Sequence, residues 1–96
     1  MNSENFERNA MEDRLNKELH LLLRLTRNRL HLTQSAMARR YFMAKNTCWD
    51  LETDDEHGFG LLTAFLLLHD QEDPKSVLDD LYGKMMAALE AVTILI

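Results

Sequence analysis

The sequence predicts an all-α protein that folds as one five-helix domain. Only three Gly and one Pro interrupt its 96 residues, and no short β-branched run bounded by turn residues marks a strand. This length suits a single domain with one modest core, spanning residues 1–96. Any regulation must therefore act through the same few helices that carry the function.

Apolar spacing and punctuation divide the chain into its helices. Leucines at helical spacing, with an acidic start and a basic end, predict a first helix from about Asn9 to Arg29. Thr33 suits the N-cap of a second helix that ends near Tyr41, and a third helix spans Ala44 to Glu52. After an acidic loop, we expect a buried core helix over Phe59 to Leu68.

The last helix is predicted from about residue 74 to residue 96. Asp73 before Pro74 is a strong start signal, because Asp caps a helix and Pro is tolerated in its first turn. From residue 86 the helix is apolar on nearly all sides, and an apolar patch left in water usually marks an interface. We expect a symmetric homodimer; the alternative is a helix that folds back on its own core. The dimerisation stripe consists of Leu78, Leu81, Met85, Leu89, Val92 and Ile96.

Charge is distributed unevenly along the chain. Residues 19–49 carry six basic side chains and no acidic one, although the formal net charge is -5. Residues 50–96 carry two basic and eleven acidic side chains. A local positive face decides phosphate attraction, since screening limits electrostatic reach to about 10 Å. The acid-free segment therefore predicts a nucleic-acid interface in the first half of the chain.

Within this segment lies a motif made of Leu32-Thr33-Gln34, Met37-Ala38 and Leu51-Glu52. It resembles the helix-turn-helix of the Cro and phage-repressor type, the XRE family, and it matches without a gap, which predicts a helix-turn-helix at about 33–52. Ala38 stands where the family needs a small residue between its two helices. The resemblance implies inward-facing side chains at Met37, Tyr41, Met43, Cys48 and Leu51.

The resemblance also implies DNA-contacting residues. Lys45, Asn46 and Asp50 match the positions that reach base edges, where Lys donates to guanine, Asn pairs with adenine and Asp accepts from cytosine. Arg27 and Glu52 match a structural ion pair of some family members. Gln34 matches a family residue that contacts phosphate, and Thr47 reaches a phosphate or a thymine methyl. The acid-free segment adds three arginines as further phosphate contacts. The predicted DNA backbone contacts are Gln34, Thr47, Arg29, Arg39 and Arg40.

The motif departs from the family at the turn and around the third helix. Phe42 replaces a preferred Gly, so strain at positive φ predicts a turn of different shape. Ala44 replaces the usual cap and Asp54 replaces a Gly, in an acidic loop that would repel phosphate. For Trp49, a place in the core or in a protein interface is favoured over a base contact.

Catalysis and metal binding have little support in the sequence. The four His residues show no paired ligand spacing, and Cys48 is the single cysteine. We therefore expect no enzyme activity, no cofactor and no metal, and we interpret residues 54–57 as a solvated acidic loop. The most apolar stretch is about half the roughly 20 residues of a membrane helix, so no membrane association is expected. A cytoplasmic location is expected because a single cysteine forms no internal disulfide and the N-terminus lacks the basic-then-apolar order of a signal peptide.

Two functions remain open on these observations. The first is a small dimeric DNA-binding transcriptional regulator, Cro-like or antitoxin-like, that reads a palindromic operator in double-stranded DNA through the major groove. The second is a helical protein-protein interaction module, such as a chaperone, an adaptor or an inhibitor, that uses the acidic half and the apolar C-terminal helix.

Overall fold

The computed structural model describes residues 3–54 and 58–95, which form five helices. All five elements are helices and the described residues contain no strand, which confirms the all-α prediction. No helix in these residues combines the length and the apolarity needed to cross a membrane. The helices are α1 (Ser3–Arg29), α2 (Gln34–Arg40), α3 (Lys45–Thr53), α4 (Leu61–His69) and α5 (Pro74–Leu95).

Helix α1 starts six residues before its predicted beginning. Its first turns lack the apolar periodicity on which the prediction depended, but they contain side-chain pairs four residues apart. Arg8 Nε lies 2.9 Å from Glu12 Oε1, and Arg14 Nε lies 3.1 Å from Glu18 Oε1. Such pairs stabilise an exposed helix modestly.

Side-chain caps define the starts of α2 and α5. The Thr33 hydroxyl accepts from the backbone N–H of Ala36 at 3.1 Å, and the Asp73 carboxylate accepts from the backbone N–H of Ser76 at 3.2 Å. Both caps satisfy amide groups that a helix leaves without an internal partner. Ala44, which precedes α3, makes no side-chain cap. The predicted caps at Thr33 and Asp73 are therefore confirmed.

One hydrophobic core joins all five helices. Leu19 and Leu23 of α1 meet Leu67 of α4 and Leu81 of α5 in the same cluster that receives the inner sides of α2 and α3. Of the residues expected to face inward, all are buried except Met43, which is half-buried. The buried apolar residues are Leu19, Leu23, Met37, Ala38, Tyr41, Cys48, Leu51, Leu67 and Leu81.

The turn between α2 and α3 is left-handed at Phe42, where φ is 58°. The N–H of Met43 donates to the carbonyl of Ala38 at 2.9 Å, and the N–H of Phe42 donates to that of Arg39 at 3.3 Å. These two bonds form a Schellman motif, which normally places Gly at the position of Phe42. The prediction of a different turn shape is wrong, because the two bonds hold Phe42 in the conformation that Gly prefers.

Replacing Phe42 with Gly is expected to raise the free energy of unfolding by about 0.5–1 kcal/mol. A side chain in the left-handed region costs energy that Gly avoids, and the phenyl group is 78% exposed, so little packing is lost. Urea denaturation followed by circular dichroism measures the change. Phe42→Ala is the control, because it removes the ring and keeps the strained backbone. Equal stabilities for the two variants would contradict the backbone argument.

Helix α4 is not the buried core helix that its composition predicts. Leu67 is fully buried, but Leu61, Leu62 and Phe65 are 88%, 57% and 63% exposed. The longer helices α1 and α5 pack extensively against each other, and α4 contacts this pair along one side. The opposite side of this nearly all-apolar helix therefore faces outward.

Helix α5 packs along α1, and of the described residues in the stripe predicted for dimerisation, Leu81 enters the core. Leu81 is buried, whereas Leu78 is 52% exposed. A hydrogen-bonded ion pair of 2.9 Å between Lys84 Nζ and Glu18 Oε2 supports this packing. Met85, Leu89 and Val92 are half-buried, and Ile96 lies outside the described residues. Leu81 thus fits the alternative of a helix that folds back on its own core, and a dimerisation role for the other stripe residues stays a prediction.

Candidate nucleic-acid interface

Helix α3 has a buried side and an exposed side. Cys48 and Leu51 are buried in the core. Lys45 and Asn46 are exposed, and Trp49, which is 53% exposed, follows Lys45 by four residues and so shares its side of the helix. Trp49 therefore does not lie in the core, and its place in a protein interface or at a base stays a prediction. The outer surface of α3 combines a cation, an amide and an indole ring.

An ion pair between Arg27 and Glu52 anchors the end of α3 to the end of α1. Arg27 Nε donates to both carboxylate oxygens of Glu52, at 2.8 and 2.9 Å, and Nη1 donates to the carbonyl of Leu32 at 3.1 Å. The Glu52 side chain is 3% exposed. The structure thus forms the pair that the family resemblance implies. It leaves Arg27 engaged within the fold.

Cys48 is a buried structural residue beside this pair. Its Sγ lies 3.7 Å from Glu52 Oε2, and burial raises the pKa of the thiol to about 11, with the Glu52 charge acting in the same direction. The thiolate, which is the nucleophilic form, is therefore scarce at neutral pH. Cys48 contributes packing to α3 and offers no reactive group.

Two of the predicted phosphate contacts, Arg29 and Arg40, are engaged by the C-terminal end of α4. Arg40 binds the Asp70 carboxylate through Nε at 2.7 Å and Nη2 at 2.5 Å, and the Tyr41 hydroxyl donates to it at 2.8 Å. Arg29 Nη2 donates to the Asp70 carbonyl at 2.5 Å, and its Nη1 lies 3.9 Å from the Glu72 carboxylate.

These contacts change the acid-base properties of Asp70 and its partners. The hydrogen bonds from Arg40 hold the pKa of the Asp70 carboxyl below its ordinary value, and the Tyr41 hydroxyl acts in the same direction. Burial raises the pKa of Tyr41, and its bond to Asp70 adds to this shift. Asp70 could not be identified from the sequence, because nothing local indicates that a carboxylate after α4 meets α2.

The other predicted DNA contacts lie on the α2–α3 pair, whose helices pack directly against each other. Gln34 is half-buried at the first residue of α2, and Thr47 and Asp50 are half-buried on α3. Arg39 and Lys45 are exposed and form no ion pair with the described residues. These two cations are therefore available to a ligand at this end of the molecule.

The acidic loop after α3 is described only at its first residue. Asp54 is exposed and its N–H donates to the carbonyl of Asp50 at 2.8 Å. Residues 55–57, which complete the loop predicted to repel phosphate, lie outside the described residues. In the part of the chain that is described, no three His, Cys, Asp or Glu side chains come together as metal ligands would.

Comparisons with known proteins give no family for the chain. No family model matches it, and no curated protein and no solved structure is significantly similar to it. The resemblance to the XRE family therefore has no support from these comparisons and stays a prediction.

Proposed function

We propose that this chain is a small dimeric DNA-binding transcriptional regulator, Cro-like or antitoxin-like, that acts in the cytoplasm and reads a palindromic operator through the major groove. The observation that carries the proposal is the two-sided character of α3. Its inner side is fixed by the core and by the Arg27–Glu52 pair, while Lys45 and Asn46 are exposed on its outer side. The major groove accommodates an α-helix presented in this way.

The outer side of α3 offers suitable chemistry for base edges. Lys45 donates to guanine O6 and N7, Asn46 pairs with adenine N6 and N7, and the half-buried Asp50 accepts from cytosine N4. Exposed Trp49 adds apolar contact with a sugar or a thymine methyl. The direction of each hydrogen bond follows from the donor and acceptor groups of these side chains.

Contacts with the DNA backbone fall into two groups in this proposal. Gln34, Thr47 and Arg39 make no side-chain hydrogen bond or ion pair to another described residue and are available to phosphates. Arg29 and Arg40 reach phosphates only in exchange for their contacts with Asp70. We therefore expect a modest salt dependence, because each phosphate contact contributes about -0.9 to the log-log slope of affinity against salt.

A DNA selection with the purified protein at two salt concentrations tests the proposal, and enrichment of a palindrome is the expected result. On the enriched site, Lys45→Ala combined with Asn46→Ala is expected to weaken binding at least tenfold, since each removes a base contact worth about 1–3 kcal/mol. Lys17→Ala is the matched control, because Lys17 is an exposed cation of α1 outside the α2–α3 pair. Unchanged affinity of the double variant would refute the reading role of α3.

A protein-protein interaction module is the second candidate function. The exposed apolar side of α4 favours it, together with the eleven acidic side chains of residues 50–96. A protein of this class would enrich no DNA at either salt concentration and would form a stoichiometric complex with a protein partner. Leu62→Glu is expected to abolish such a complex, since Leu62 is 57% exposed on α4.

A further inference from the structure

Helices α4 and α5 present a shared apolar surface to solvent. Leu61, Leu62 and Phe65 of α4 and Leu78 and Tyr82 of α5 are between 52% and 88% exposed. We call these five residues the α4 face. Leu61, Phe65 and Leu78 line one groove of about 250 Å³, and Tyr82 follows Leu78 by one helical turn on the same side of α5. The groove therefore joins the two helices in one surface.

The size of the α4 face is close to that of an interface. With about 200 Å² for a fully exposed large side chain, these exposed fractions leave on the order of 600 Å² of apolar surface. The largest apolar patch on a typical monomer is about 300–600 Å², and a standard interface buries about 800 Å² on each partner. The α4 face thus supplies most of the surface that one half of a stable dimer requires.

The charge pattern of α4 favours a second copy of this chain as the occupant. In a symmetric dimer each patch packs against itself, so a charge near its centre would meet a charge of its own sign. Residues 61–68 contain no charged side chain, in a protein with a formal net charge of -5. Two copies can therefore bring their α4 helices together without a like-charge contact between residues 61–68.

We propose that the α4 face is the homodimer interface, with α4 of one copy packed against α4 of the other. This interface shares only Leu78 with the predicted α5 stripe, of which Leu81 is buried within the chain. The choice of a second copy rests in part on the proposed function, because a reader of paired half-sites must bring two α3 helices together.

Sedimentation equilibrium without DNA tests the interface. The wild-type protein is expected to have about twice the monomer mass of 11.2 kDa, and Leu61→Glu is expected to reduce the mass to that of the monomer. Leu61 is 88% exposed, so the added charge leaves the fold of a single copy intact, as circular dichroism verifies. Leu62→Glu is a second variant with the same expected result. Ile94→Glu is the matched control, with an 84% exposed side chain outside the α4 face.

A wild-type protein that stays monomeric overturns the proposal, and so does a dimer that survives both α4 substitutions. Equal dissociation by Ile94→Glu also overturns it, because the effect would then not be specific to α4. If the protein is monomeric and binds a different protein through the α4 face, that protein occupies the face and the homodimer proposal is overturned. Since the mass is measured without DNA, a failure of the interface is distinguishable from a failure of α3 to read DNA.

Discussion

Replacing Arg27 with Met is expected to lower the free energy of unfolding by about 3 kcal/mol. The substitution leaves Glu52, whose side chain is 3% exposed, without its cationic partner in the core. It also removes the bond from Arg27 to the carbonyl of Leu32, which closes the turn after α1. Leaving one charge buried without its partner lowers stability by more than the intact pair adds to it, because the remaining charge has neither a partner nor contact with water. Urea denaturation monitored by circular dichroism gives the free energy.

Two controls separate this effect from general loss of charge. In the double variant Arg27→Met with Glu52→Leu, most of the lost stability is expected to return, because no unpaired charge remains in the core. Arg8→Met breaks the exposed pair with Glu12, whose side chains are 76% and 55% exposed, and is expected to cost less than about 0.5 kcal/mol. If Arg27→Met lowers the free energy of unfolding no more than Arg8→Met does, Arg27 does not anchor α3.

Replacing Asp70 with Ala is expected to lower the free energy of unfolding by about 2 kcal/mol at neutral pH. The buried Tyr41 hydroxyl loses its acceptor, and Arg40 loses a bidentate partner. The Arg40 side chain is 47% exposed, so water replaces much of that contact and its share of the loss is small. Glu72→Ala is the control, because Glu72 is 84% exposed and lies 3.9 Å from Arg29.

The same substitution is expected to change the pH dependence of stability. The pKa of the Asp70 carboxyl is lowered in the folded state, so its stabilisation is complete above the ordinary pKa of about 4 and is lost as pH falls through the lower folded value. The wild-type protein should therefore lose stability in acid through this group, and Asp70→Ala should lose less. Parallel stability curves for the two proteins below pH 4 would contradict this account of Asp70.

Asp70→Ala also links the fold to the proposed function. Arg40, released from its carboxylate, becomes available to phosphate, so the log-log salt slope of DNA binding is expected to steepen by about 0.9 for each new contact. The ratio of affinities for the enriched site and a scrambled site should stay nearly constant, because phosphate contacts carry no base information. An unchanged slope would show that Arg40 does not reach the DNA.

Features set by neighbouring residues could be predicted from the sequence. The five helices and the caps at Thr33 and Asp73 follow from spacing and local hydrogen bonding, and the inward positions of α2 and α3 were implied by the family resemblance. The positive φ of Phe42 was the exception, because the backbone bonds of the turn overcame the preference of the side chain. The roles of Lys45 and Asn46 stay predictions, and the structure adds that both side chains are exposed.

The sequence by itself determined which segments are helical, because capping and apolar period act within a few residues. Only the tertiary structure decided which apolar sides are covered and which cations are neutralised. Helices α1 and α5 cover each other and leave one side of α4 exposed, and Asp70 reaches Arg40 across 30 positions of the chain. Both outcomes depend on how the helices pack, and hydrophobicity attracts apolar sides without specifying which of them meet.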